Sequence, residues 1–265
     1  MSVKNYIRDR FPGFVLWTHK LRGVLAYYLN GMPSKRLKVI GITGTNGKTT
    51  TCHLTAKILE ESNQRVGMLS TTTFKIADDE WVNKTNMTSM SPFKTQSLLK
   101  QMVKAGCSYV VMETSSHAIK QYRNWGIRYI AVGLTNVTHE HLDYHGSFDD
   151  YIQTKATLFS RGPKVAVANM DDPNYKKFLI YSAQKHLTYS QEKKADITAR
   201  KVLPSPDGTI FTLATPTYQE TIDLHLPVLL MFQTRFARRR FVMALRFRQL
   251  QLKKGLKRLQ IFPGD

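Results

Sequence analysis

Lys38-Val39-Ile40-Gly41-Ile42-Thr43-Gly44-Thr45-Asn46-Gly47-Lys48-Thr49-Thr50-Thr51 is the stretch whose reading decides the fold. An apolar run of strand length gives way to a glycine-punctuated turn, and the turn opens a helix expected from about Thr49 to Ser62. At such a junction backbone N–H groups and the positive end of the helix dipole converge on one point, which suits a polyphosphate. Gly44, Thr45, Asn46, Gly47, Lys48, Thr49 and Thr50 are therefore the candidate cradle for a polyphosphate. Lys48 is placed to reach the terminal phosphates, and the Thr49 hydroxyl to hold Mg²⁺, which bridges phosphate oxygens. The spacing departs from the general P-loop, because position 42 is Ile rather than Gly and the glycines fall at 41, 44 and 47.

Working outward, strand-like runs recur near 65–70, 109–113, 129–135 and 165–169, separated by helical patterns near 95–105 and 149–159. That alternation predicts an α/β fold, a mainly parallel sheet with flanking helices and a P-loop. Beyond Asp196 the pattern changes to short strand-like pieces about Pro204-Ser205-Pro206-Asp207-Gly208, read as a hairpin at the sheet's edge. Before the nucleotide strand, residues 1–37 contain Phe14, Trp17, Leu21, Val24, Leu25 and Tyr28 at helical spacing, with Lys20 and Arg22 among them. This is an amphipathic helix, interrupted by charge and so not a bilayer span. Packing against the main domain is its expected role, and contact with a membrane interface is the alternative.

The 265 residues are 42% hydrophobic and 11% aromatic, which describes a folded core rather than a disordered chain. Two cysteines, Cys52 and Cys107, give neither a disulfide framework nor a zinc spacing, fit a reducing cytoplasm, and are read as small core residues. The net charge of +20 does not describe a general basic face. Residues 228–265 hold ten Lys/Arg against one acid, so this short tail supplies +9, and the longer remainder +11. No specific nucleic-acid partner is expected, only weak and salt-dependent association.

Taken with the segments that follow it, the loop Thr43-Gly44-Thr45-Asn46-Gly47-Lys48-Thr49-Thr50-Thr51 resembles the nucleotide loop of the Mur ligases. Glu113-Thr114-Ser115-Ser116-His117-Ala118, with Gln121 and Arg123 behind it, is similar to that family's muramyl-tripeptide branch. So is Thr135-Asn136-Val137-Thr138-His139-Glu140-His141-Leu142-Asp143-Tyr144-His145-Gly146. Tyr151, Lys155, Leu158 and Phe159 resemble the family's lysine-bearing helix, and Asn169-Met170-Asp171-Asp172-Pro173 its next strand end. The resemblance runs from about Lys38 to Pro227 and implies a central ATP-binding domain over 38–265. It assigns Thr49 and Glu113 to Mg²⁺ at the ATP phosphates, His141 to a second metal position, and Lys155 to carbamylation as a further oxygen ligand. Thr88, Ser115, Gln121 and Arg123 fall on the muramyl-peptide side. The implied reaction activates the carboxylate of a UDP-muramyl dipeptide with ATP and joins it to the amine of an amino acid whose identity the residues do not specify. A zinc site from His139, His141 and His145 matches no familiar spacing.

The likeness thins in three places. Asn86-Met87-Thr88-Ser89-Met90-Ser91-Pro92 replaces the family's Thr-Thr-Pro type contact, and Glu140 stands where Asp is usual. Neither the family's uridine-nucleotide domain nor its C-terminal domain is recognisable, so the chain alone is expected to form little or no product. A nucleotide-binding piece without ligase activity and a folylpolyglutamate-type ligase are the competing readings. Finally, Pro227-Val228-Leu229-Leu230-Met231-Phe232-Gln233-Thr234-Arg235 stands where the family shows Pro-Gly-x-Phe-Asn-Val-x-Asn-Ala. One inserted G after the Pro227 codon restores Pro-Gly-Thr-Phe-Asn-Val-Ser-Asn-Ala, which marks 228–251 as a shifted reading frame that resequencing of the locus decides.

Overall fold

The computed structural model describes residues 10–85, 87–138, 146–205 and 208–224. Helix α1 (Pro12–Leu29) leads through a short 3-10 turn into β1 (Lys38–Thr43), and the glycine-rich turn then opens α2 (Lys48–Glu61). There follow β2 (Val66–Leu69), β3 (Thr73–Ile76), β4 (Asp79–Val82), α3 (Pro92–Lys104), β5 (Tyr109–Glu113), the short α4 (Ser116–Lys120) and β6 (Tyr129–Leu134). The chain continues with α5 (Phe148–Ala156), β7 (Val165–Asn169), the short α6 (Lys176–Leu179), β8 (Lys185–Ser190), β9 (Ile197–Ser205), β10 (Gly208–Ala214) and β11 (Gln219–Leu224).

The strands form one sheet in the order β11-β10-β9-β8-β7-β6-β1-β5-β2-β3-β4. Every neighbouring pair from β9 to β2 runs parallel, while β3 and β4 at one side and β10 and β11 at the other are antiparallel. Alternate residues of the central strands go to opposite faces, as a pleated strand requires. Val39, Val110, Met112, Val132 and Leu134 enter the larger core with α3 to α6, whereas Ile40, Ile42, Val111 and Ala131 meet Cys52, Ala56 and Leu59 of α2. With both faces covered, these strands read as continuous apolar runs, which is why the sequence showed them. The starts of α3 and α5 are fixed by side-chain caps. The Ser91 hydroxyl accepts from the Lys94 N–H at the head of α3, and Ser147 accepts from Asp150 at the head of α5, where Asp149 and Asp150 also face the positive dipole end.

Three expectations need correction. The helix expected over 149–159 ends at Ala156 and continues as a 3-10 turn. Strands β3, β4, β8 and β11 were not anticipated, and the expected edge hairpin is extended outward by β11. Helix α1 does pack on the domain, but mainly not through the apolar residues whose periodicity revealed it, although the Tyr28 ring lies 6.2 Å from that of Trp125. Phe14, Trp17, Leu21, Leu25 and Tyr28 are exposed, and the inner face is Gly23, Ala26 and Tyr27. A Cβ at Gly23 would stand 2.7 Å from the Tyr122 carbonyl oxygen and 2.8 Å from the Trp125 Cβ, so the backbones approach closely there. Tyr27 meets the Trp125 ring edge-on at 5.5 Å. Cys52 and Cys107 are buried free thiols, as expected. No helix among the described residues is long and apolar enough to cross a membrane. The stretch 228–251, for which the sequence suggested a shifted reading frame, lies outside the described residues.

Candidate functional site

The chain goes from β1 to β2 on one side, by way of α2, and from β6 to β7 on the other, so β1 and β6 sit where the strand order reverses. Open α/β sheets bind ligands in the crevice that such a reversal leaves at the strand C-termini. The loop after β1 occupies that place and is tied to the segment after β6. The Thr45 N–H donates to the Asn136 carbonyl at 2.8 Å, and the Asn46 N–H to the Asn136 side-chain oxygen at 2.9 Å. In return the Thr135 hydroxyl donates to the Asn46 carbonyl at 2.7 Å. The Thr138 N–H donates to the Thr45 hydroxyl oxygen at 3.0 Å.

Gly44 is required by this close approach. Its φ is +146°, a region L side chains rarely adopt, and a Cβ there would lie 1.9 Å from the Thr135 hydroxyl oxygen and about 3 Å from the Asn136 backbone. Gly47 ends the loop in the left-handed region and caps α2. Lys48, in the first turn, folds back to donate to the Thr45 carbonyl at 2.7 Å, keeping its ammonium at the loop. From α5, Lys155 reaches the same loop: it is 1% exposed, donates to the Gly44 carbonyl at 2.7 Å and lies 4.4 Å from the centre of the Tyr151 ring.

Across β1, Glu113 ends β5 and is buried. Its Oε2 accepts from the Thr49 hydroxyl at 3.0 Å and from the Thr71 N–H at 2.8 Å. Two residues that hard divalent cations favour, a hydroxyl and a carboxylate, thus converge beside a loop that opens a helix. This donor set suits Mg²⁺. The charge of Glu113 is felt nearby: burial first, then Glu113, raises the Cys52 thiol well above its ordinary value, with Lys48 opposing. An inert core thiol follows. On the same helix, burial lowers the His53 imidazole, whose Nε2 lies 3.2 Å from the Thr72 hydroxyl.

The residues assigned to the muramyl side form a connected group. The Thr71 hydroxyl donates to Thr88 at 3.0 Å, and the hydroxyls of Ser89 and Ser115 lie 3.5 Å apart. Arg123 donates to the Ser89 carbonyl at 2.7 Å and makes a fork with the Gln121 side-chain oxygen at 2.9 and 2.7 Å. Thr88, Ser115, Gln121 and Arg123 are therefore brought together, and Thr71 couples Thr88 to Glu113. Thr50 lies in the first turn of α2, half-buried. His141, with His139 and His145, lies outside the described residues. Thr71, Ser89 and Asn136 were not among the residues singled out for the site. Their signal was positional: polar residues directly after β2, before α3 and after β6, where a parallel sheet presents its ligand-facing end.

The parallel sheet, the reversal of strand order and the phosphate-type loop define a nucleotide-binding α/β protein of open-sheet architecture. The Mur ligase middle-domain model matches residues 42–233, and the chain belongs to the Mur ligase family. It is 37% identical over 208 residues to a UDP-N-acetylmuramyl-tripeptide synthetase of Roseiflexus sp. (strain RS-1), covering 72% of this chain and 41% of that protein. It is also 37% identical over 209 residues to a UDP-N-acetylmuramoyl-L-alanyl-D-glutamate–2,6-diaminopimelate ligase of Geobacillus thermodenitrificans (strain NG80-2), covering 75% and 42%. A solved structure of such a diaminopimelate ligase superposes with a TM-score of 0.69 at 29% identity, over 78% of this chain and 44% of the other. The chain spans somewhat over two fifths of the length of the curated relatives it matches.

Proposed function

We infer that residues 38–265 are the central ATP-binding domain of a ligase that adds an amino acid to a UDP-N-acetylmuramyl dipeptide in peptidoglycan precursor synthesis, with 1–37 as an N-terminal amphipathic helical segment. The observation that carries this reading is the meeting of Thr49 and Glu113 at 3.0 Å beside a loop where Gly44 admits no side chain. The relatives named as tripeptide synthetase and as diaminopimelate ligase support the substrate class and leave the added amino acid open between them. The polar group from Thr88 to Arg123, coupled to Glu113, supports placing the muramyl carboxylate next to the γ-phosphate.

In the proposed reaction the substrate carboxylate attacks the γ-phosphorus of ATP, forming an acyl phosphate and releasing ADP. The incoming amine then attacks the acyl carbon, expels inorganic phosphate and gives up a proton to form the amide. Loop N–H groups and Lys48 hold the phosphates in line, so this domain's contribution is positioning and charge neutralisation. Thr49 and Glu113 would hold Mg²⁺, with His141 at a second position, and the ion would supply further neutralisation of the phosphate charge. Lys155 Nζ, already against the loop, would become an anionic oxygen ligand if its ammonium lost two protons overall while the nitrogen added CO₂ to form a carbamate. Binding of Mg-ATP by calorimetry tests the assignment. Lys48→Ala is expected to weaken it about a hundredfold, the value of a lost charge-assisted contact to phosphate. Equal affinity in the variant, or no binding by the folded parent chain, overturns it.

A further inference from the structure

Helix α1 has two apolar faces, and only one is used by the fold. Gly23, Ala26 and Tyr27 pack inward, while Phe14, Trp17, Leu21 and Leu25 are exposed along the outer side, and Tyr28, also exposed, borders the domain with its ring 6.2 Å from that of Trp125. At ~100° per residue the five exposed residues fall within about 80° of arc, a single continuous stripe. The exposure is large for aromatic side chains, 59% at Phe14, 58% at Trp17 and 59% at Tyr28. Phe14 and Trp17 stack on each other at 6.1 Å rather than on the domain. Lys20 and Arg22, both exposed, stand about 100° to either side of the stripe's centre and so border it on both flanks.

Charge singles out what covers this stripe. The sequence carries no Asp or Glu from Arg10 to Leu59, nor from Trp81 to Met112, against eight and four Lys/Arg in those segments. Both segments meet here, since α1 packs on α3. Lys20, Arg22, Lys35, Arg36, Lys94 and Lys100 are all exposed, and none is in an ion pair with a carboxylate among the described residues. Exposed Trp, Tyr and Phe on one helix face, bordered by Lys and Arg and free of acids, is the pattern of a helix lying in the headgroup layer of an anionic bilayer. The arrangement leaves the site accessible. Helix α1 joins β1 at its N-terminal end, whereas the phosphate loop follows its C-terminal end, about 20 Å away for six residues of strand.

We propose that the outer face of α1 docks the domain on an anionic lipid surface. A stripe this narrow, with no acidic partner residues opposite Lys20 and Arg22 in a second copy's α1, disfavours self-association through the same face. Sedimentation of the full chain with phosphatidylglycerol-containing vesicles and with pure phosphatidylcholine vesicles, at low and high salt, tests this. The chain is expected to bind the anionic vesicles and not the neutral ones. Phe14→Ser with Trp17→Ser should weaken binding about a hundredfold, and Lys20→Glu with Arg22→Glu at least about tenfold. Both pairs are exposed, so thermal midpoint and Mg-ATP affinity should stay as in the parent, which separates this proposal from the nucleotide reading. Absence of binding by the folded parent overturns the proposal. So does equal vesicle binding by the Phe14/Trp17 variant, which would place the lipid contact elsewhere on this basic chain. A concentration-dependent dimer that Trp17→Ser abolishes, without vesicle binding, would assign the face to a second copy instead.

Discussion

The cradle between β1 and β6 and the β9–β11 edge are built from the same kind of strand but hold their geometry by opposite means. At the cradle the deciding bonds join residues far apart in the chain: Lys155 to Gly44 across 111 positions, Asn46 to Asn136 across 90, Glu113 to Thr49 across 64. At the edge, β9 turns directly into β10 and β10 into β11, and partners are sequence neighbours. The cradle therefore exists only when the whole parallel sheet does. A small change inside it should be felt by binding and by stability together, and a change at the edge by neither.

The strongest way to break that contrast is Gly44→Ala. A methyl group would collide with Thr135 and force a residue with a side chain into φ near +146°, so a stability loss of about 3 kcal/mol is expected together with loss of nucleotide binding. Urea unfolding and calorimetry read the two effects, and an unshifted midpoint with intact binding would falsify the account of the cradle. Glu113→Gln is a gentler probe. The amide keeps an acceptor for the Thr71 N–H but loses the charge, so Mg-ATP should bind about tenfold more weakly, while ATP in the presence of chelator is unaffected. A change of equal size with and without metal would move the divalent site away from Glu113. At the edge, Ile210→Thr replaces a half-exposed residue by another β-branched one. It should leave stability within about 0.5 kcal/mol of the parent and Mg-ATP affinity unchanged. A larger effect would mean that the edge contributes to the cradle after all.

The same contrast explains what could be read from the sequence. Strands β5 and β7 match the expected spans to the residue, because strands covered on both faces are unbroken apolar runs. Strand β4, Asp79-Glu80-Trp81-Val82, is exposed throughout, and Lys185 to Ser190 and Gln219 to Leu224 are largely polar, so no burial pattern announced them. For α1 the period was right and the inner face wrong. Apolar spacing reports which residues share a face, whereas the inward contact is made by Gly23 and Ala26, whose small size permits close approach and leaves no hydrophobic signal. Within the site, the loop was visible as a local pattern at a strand end, and Glu113 was reached through the family resemblance of the segment it opens. Thr71 and Ser89 were not, because their roles depend on β2 lying beside β5, a neighbour relation that only the folded sheet creates.

Glu113 holds two things at once: its Oε2 accepts from Thr49 on the nucleotide side and from Thr71, whose own hydroxyl leads on to Thr88. On the proposed assignment the two ligands of the reaction are not independent tenants, because any shift of this carboxylate toward one alters the hydrogen bonds available to the other. Thermodynamic reciprocity then fixes the relation: the factor by which nucleotide changes affinity for the muramyl peptide must equal the factor by which the peptide changes affinity for nucleotide.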